Sequence, residues 1–84
     1  MRVNEQYQWL IANNFIDTGL GHGNRIIYSK QLLNDREMWF TWYNGTRTWH
    51  ITIYEDVDYS CTLVSDIPND VNFNQFLPLI ELIK

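Results

Sequence analysis

Met38-Trp39-Phe40-Thr41-Trp42-Tyr43, then Asn44-Gly45, then Thr46-Arg47-Thr48-Trp49-His50-Ile51-Thr52-Ile53 sets three of the chain's four tryptophans around one short turn. Asn-Gly between alternating apolar runs is the strongest short-range hairpin signal, because a type I′ turn needs two residues that tolerate positive φ. A two-residue loop pairs Tyr43 with Thr46, Phe40 with Trp49, Trp39 with His50 and Met38 with Ile51. One face then collects Met38, Phe40, Trp42, Trp49, Ile51 and Ile53, with Arg47 beside the turn, and is expected to be the core face. The other collects Trp39, Thr41, Tyr43, Thr46, Thr48, His50, Thr52 and Tyr54. A three-residue loop would mix apolar and polar residues on both sides. Threonine is β-branched yet polar and suits a solvated strand face. Trp39, Tyr43, His50 and Tyr54 are then aromatic groups in excess of what that face needs.

Working outward, Tyr7, Leu10, Ile11 and Phe15 recur at helical spacing, with Val3 one turn earlier, and predict a helix over residues 4–14 that stops at Asn13-Asn14. Asp17-Thr18-Gly19-Leu20-Gly21-His22-Gly23-Asn24 reads as a loop, since its glycines make regular structure entropically costly. Arg25 to Lys30 reads as a first strand, followed by a polar turn around Asn34-Asp35, and the hairpin supplies the next two. After Glu55-Asp56-Val57-Asp58, alternation in Tyr59 to Ser65 places Tyr59, Cys61 and Leu63 on one face of a fourth strand. The chain then turns helical behind Asp70 or Asn72 as N-cap, with Phe73, Phe76, Leu77 and Ile80 on one stripe and Pro78 expected to kink or divide it. The predicted class is α+β, a four-stranded antiparallel meander flanked by N- and C-terminal helices (α-β-β-β-β-α) in one small domain spanning residues 1–84. The closing segment is apolar on more than one side. It either packs against the sheet and first helix or offers Leu79, Ile80, Leu82 and Ile83 to a second copy in a homodimer.

Composition narrows the function classes. The chain has 84 residues and 45% hydrophobic content, which argues against disorder. With no early apolar run and no long uninterrupted one, a soluble, cytoplasmic protein without membrane association is expected. Cys61 is the only cysteine, so an internal disulfide and a cysteine-cluster zinc site are excluded. Residues 1–47 carry Arg2, Arg25, Lys30, Arg36 and Arg47 against Glu5, Asp17, Asp35 and Glu37, a balance of +1. Residues 48–84 carry Glu55, Asp56, Asp58, Asp66, Asp70 and Glu81 against Lys84, a balance of −5. The net −4 disfavours direct binding to nucleic acid, which rests on clustered Lys and Arg.

Chemical motifs are sparse. Gly19-x-Gly21-x-Gly23 lacks the strand-before, helix-after setting of a dinucleotide fingerprint. His22 is within reach of Asp17, and His50 stands on the outer hairpin face, where it is expected to stack on Trp39. Such histidines can do acid–base work near neutral pH. Cys61 falls on the predicted core face and is expected to be an inert buried thiol. Glu55 to Asp58 is too short for a calcium loop. No metal site and no cofactor are expected.

A first helix, Gly21-His22 in a loop, then strands and a closing helix resembles the small HicA-type mRNA-interferase toxins. That resemblance implies a dsRNA-binding-like fold and a ribonuclease with His22 as catalytic histidine, which His50 would assist. The chain departs from the pattern in being acidic and in carrying an extra strand. Its Asn- and Ile-rich, alanine-poor composition is also similar to that of small bacteriophage and mobile-element proteins, which implies disarming a host enzyme. The favoured expectation is a non-enzymatic, protein-binding inhibitor. It would dock through Trp39, Tyr43, His50 and Tyr54 with Glu55, Asp56 and Asp58, on a host protein such as a nucleic-acid-binding enzyme with a basic groove, in the host cytoplasm. The alternatives are the ribonuclease and a self-assembling structural protein.

Overall fold

The computed structural model describes residues 1–19, 21, 23–56 and 59–83, the side chain of Asp56 excepted. Val3–Ala12 forms the first helix, α1. The Glu5 carboxylate accepts the Arg2 N–H at 3.0 Å, satisfying an amide that the first turn leaves without a partner. At the other end Asn14 takes φ 71°, the Asn14 N–H donates to the Ile11 carbonyl and the Phe15 N–H to the Leu10 carbonyl. This is a Schellman stop, and its customary apolar contact is present as Leu10 and Phe15, both buried. The buried stripe is rotated from the expected one: Ile11 is 61% exposed, whereas Gln6 is 0% exposed. Gln6 goes inside because both ends of its amide are used. Its Oε1 accepts the Trp49 indole N–H at 2.8 Å and its Nε2 donates to the Val71 carbonyl at 3.0 Å.

The sheet has five antiparallel strands in sequence order, one more than expected. They are β1 Ile16–Asp17, β2 Arg25–Gln31, β3 Glu37–Tyr43, β4 Thr48–Asp56 and β5 Tyr59–Pro68. The extra strand, β1, is only two residues long and so carries no readable alternation. It is placed by the helix stop and extended by Thr18, whose N–H and hydroxyl both donate to the Ile27 carbonyl.

The hairpin register differs from the Asn-Gly expectation by two residues. Tyr43 pairs with Thr48, Trp42 with Trp49, Thr41 with His50 and Phe40 with Ile51. The reversal is a four-residue loop over residues 44–47, in which the Arg47 N–H donates to the Tyr43 carbonyl at 2.7 Å and Arg47, at φ 56°, is the left-handed residue. Neither Asn44 nor Gly45 has positive φ. The neighbouring chain explains the shift. The Asn44 N–H donates to the Asn24 carbonyl at 2.7 Å, which holds Asn44 beside β2 and moves the reversal downstream. From the other side, the Asn69 side chain donates to the Arg47 carbonyl. Two consecutive positive φ values, the mark of a type I′ turn, occur instead at Asn34 (62°) and Asp35 (60°) between β2 and β3.

A shift of two residues preserves the faces. Met38, Phe40, Trp42, Trp49, Ile51 and Ile53 are all buried, whereas Arg47 lies exposed in the loop with its guanidinium over the Trp42 ring. Both helical segments pack on this core face, where Trp9 and Phe73 meet Phe40. Asn72 caps the closing segment by accepting the Asn74 N–H at 2.9 Å. A single 3-10 turn, Phe73–Phe76, leads into helix α2, Leu77–Ile83. Pro78 sits at the second residue of α2, where a missing N–H costs no helical hydrogen bond, so it marks the division between the two. The Arg36 guanidinium donates to the Ile83 carbonyl at 3.2 Å, closing the C-terminal end of α2 from the β2–β3 turn.

Cys61 corrects the expectation of a buried thiol: it is exposed. It pairs with Ile53 in register with the core face, but it lies on the edge strand and outside the packed core cluster. Register breaks along β4 and β5 also end the simple alternation read from Tyr59 to Ser65, and Tyr59 and Leu63 are 58% and 39% exposed.

Candidate functional site

The helix-free face of the sheet is laid out by the two registers. Ile27, Thr41 and His50 form a row across β2, β3 and β4, flanked by Arg25, Tyr43 and Thr48 on one side and by Ser29, Trp39 and Thr52 on the other. Ile27, Ser29 and Thr41 are buried although no helix covers them, while Trp39, Tyr43, His50 and Tyr54 are half-buried. The small residues therefore form a floor and the large rings lie over it.

Those rings pair differently from the expected His50–Trp39 stack. Trp39 lies against Tyr54 with centroids 4.2 Å apart, and His50 meets Tyr43 edge-on at 4.6 Å. The register shift is the reason, since it moves His50 opposite Thr41 and leaves Tyr43 as its diagonal neighbour. His50 Nε2 lies 3.8 Å from the Asp66 carboxylate, a contact absent from the sequence reading. It arises because Asp66 takes φ 55° at a register break in β5, a position that alternation does not reveal. The Trp39 indole N–H is buried and has no hydrogen-bond partner. A dehydrated donor without an acceptor is costly, and it faces the side of the sheet that carries the excess aromatics.

Glu55 is exposed near the end of β4, next to Tyr54 in sequence. The Asp56 side chain, Asp58 and His22 lie outside the described residues, so of the acidic turn only the Glu55 side chain is placed, and the expected His22–Asp17 pairing falls outside them as well. Asp66 and Asp70 add exposed carboxylates at the far end of β5. Of the four residues considered for self-association, Ile80 is in the core, Leu79 and Ile83 pack against it, and Leu82 is 83% exposed.

The glycine-rich loop borders a cavity of about 210 Å³ lined by Asp17, Gly19, Gly21, Arg25 and Ile26. The Gly19 N–H there donates to the Asp17 carboxylate at 3.0 Å, so this amide already has an anion of the chain's own. Above Asp17's strand, Tyr7 and Tyr28 stack at 5.6 Å. Burial first and the Asp17 carboxylate second push both phenols up from their ordinary value. Among the described residues no cluster of His, Cys, Asp and Glu has the makings of a metal site, and no helix is long and apolar enough to cross a membrane. No protein-family model, curated protein or solved structure matches the chain.

Proposed function

We propose that this protein is a small acidic binding module that docks on a partner protein through the outer face of its β3–β4 hairpin. The observation that carries the reading is the pair of ring contacts, Trp39 with Tyr54 and Tyr43 with His50, on the sheet face opposite both helices. Tryptophan and tyrosine supply much of the energy of protein interfaces because they bury large areas while freezing few rotors.

The carboxylates of Glu55, Asp56, Asp58, Asp66 and Asp70 border this face in sequence and favour a basic partner. A nucleic-acid-binding enzyme of a host cell, whose groove accepts phosphates, fits that chemistry, and the module would then act as its inhibitor. Trp39→Ala combined with Tyr43→Ala is expected to abolish capture of the partner that the wild-type protein retains, with the far-UV circular dichroism spectrum unchanged. Equal capture by a folded double variant overturns the reading. Light scattering that finds an oligomer at every dilution would assign the face to copies of the same chain instead.

A further inference from the structure

We propose that the free edge of β5 accepts a short extended segment of a partner protein as an added strand, and that this segment is neutral and β-prone in its middle and basic at both ends. The site shares Glu55, Asp66 and Asp70 with the border of the aromatic patch, but Trp39 and Tyr43 belong to β3, two strands in from that edge.

Strand order leaves one side of β5 unpaired among the described residues. An edge strand presents a row of N–H and C=O groups to any chain that can lie beside it, and proteins ordinarily blunt such edges with lysine, proline or bulges. From Tyr59 to Ser65 the edge has neither lysine nor proline and no charge at all, and three of its residues are the β-formers Tyr59, Thr62 and Val64. Pairing with β4 runs without a break in β5 from Ser60 to Thr62; the irregularity beside Tyr59 falls in β4, between Tyr54 and Asp56, whereas β5 itself is bulged between Thr62 and Val64 and again between Val64 and Ile67, so the regular part of the edge is its Tyr59 end. The side chains flanking this run are available, with Tyr59 58% and Leu63 39% exposed and Cys61 exposed.

Charge decides what fits there. No lysine or arginine occurs between Thr48 and Ile83, whereas Glu55 stands before the run and Asp66 and Asp70 after it, all exposed. A second copy is therefore a poor occupant. Antiparallel pairing would set the Asp66 end of one strand against the Glu55 end of the other, and parallel pairing would set like against like. A segment with basic ends meets opposite charge at both, while its backbone completes the ladder in the manner of other strand-addition complexes.

Two synthetic peptides test this, one with lysines at both ends of an alternating valine–threonine core and its twin with glutamates in place of the lysines. With the lysine peptide at ten times its Kd, the outward-facing amides between Tyr59 and Val64 are expected to exchange about tenfold more slowly with solvent. The glutamate peptide should leave them unchanged. Cys61→Lys and Leu63→Lys, both at exposed positions, should remove the protection. The Trp39→Ala, Tyr43→Ala variant should retain it, which separates failure of the edge from failure of the aromatic face. Equal protection by both peptides, protection by neither, or protection lost in the Trp39→Ala, Tyr43→Ala variant overturns the proposal. So does concentration-dependent protection without peptide, which would make a second copy the occupant.

Discussion

Phenylalanine in place of Trp49 and in place of Trp39 removes the same indole N–H from two opposite environments. The Trp49 N–H donates to the Gln6 amide oxygen in a fully buried contact, so Trp49→Phe leaves that oxygen without a donor, at a cost of about 1–3 kcal/mol. The smaller ring adds a cavity term of about 1 kcal/mol, for a total loss of about 2–4 kcal/mol. The Trp39 N–H has no acceptor, so Trp39→Phe removes a dehydrated donor and relieves about 1–3 kcal/mol. Reduced contact with Tyr54 returns about 1 kcal/mol of that, leaving a gain of about 0–2 kcal/mol. The two variants should differ by at least about 2 kcal/mol, a large share of the roughly 4–12 kcal/mol expected for a chain of this size. Urea denaturation followed by circular dichroism measures both, with a common slope m confirming that the denatured state is unaltered. In thermal melts the gap is about 10 °C or more. Stabilities within about 0.5 kcal/mol of each other would refute the reasoning, as would a loss at Trp39 equal to that at Trp49.

Gly45→Ala should leave stability unchanged or raise it by about 0.4–1 kcal/mol, because Gly45 lacks positive φ and a Cβ there meets open space. A thermal shift assay that finds a clear loss would restore the two-residue turn. In contrast, Asp35→Gly should stabilise by about 0.5 kcal/mol by relieving a left-handed aspartate at φ 60°. Gly21→Ala should unfold the loop locally, since its Cβ would collide with the Arg25 carbonyl oxygen; amide spectra around β2 would report it. Alkaline titration tests the Tyr7–Tyr28 stack. Both phenols are raised, so the native state keeps protons that the unfolded chain releases from its ordinary value of 10.0 upward. Stability is then fully present below that value and falls as pH rises through the folded values, and Asp17→Asn should lower both titration midpoints and make the fall shallower. Midpoints that do not move with Asp17→Asn would discount its carboxylate.

The α+β class, the helix stop at Asn13-Asn14 and the two faces of the hairpin were legible from residue pattern alone, and the cap was narrowed to Asp70 or Asn72, of which the structure uses Asn72. The faces survived a wrong turn type because the true loop is longer by two residues, and side chains alternate with that same period. Turn type was not legible, because a hydrogen bond to the Asn24 carbonyl and another from the Asn69 side chain, both distant in sequence, outweigh the local preference of Asn-Gly. Gln6 was missed since a polar residue reads as surface until its two buried partners are known. Cys61 was misplaced because alternation describes a strand's faces but not how far the helices extend over them. Of the candidate site, the aromatic set was readable; its ring partners and the His50–Asp66 contact depended on the register and on a break in β5.

The single amide at Gln6 has a kinetic consequence. It joins residues separated by 43 and 65 positions, and the Trp9 indole reaches equally far to Asn74. A ten-residue helix is too short to persist by itself in water, so α1 stays unsettled until the segment around Val71 to Asn74 has emerged and closed over it. Such remote closure slows folding. A nascent chain that has not yet exposed Val71 to Asn74 would hold the sheet's apolar face open, and this interval is when chaperones and proteases would compete for it.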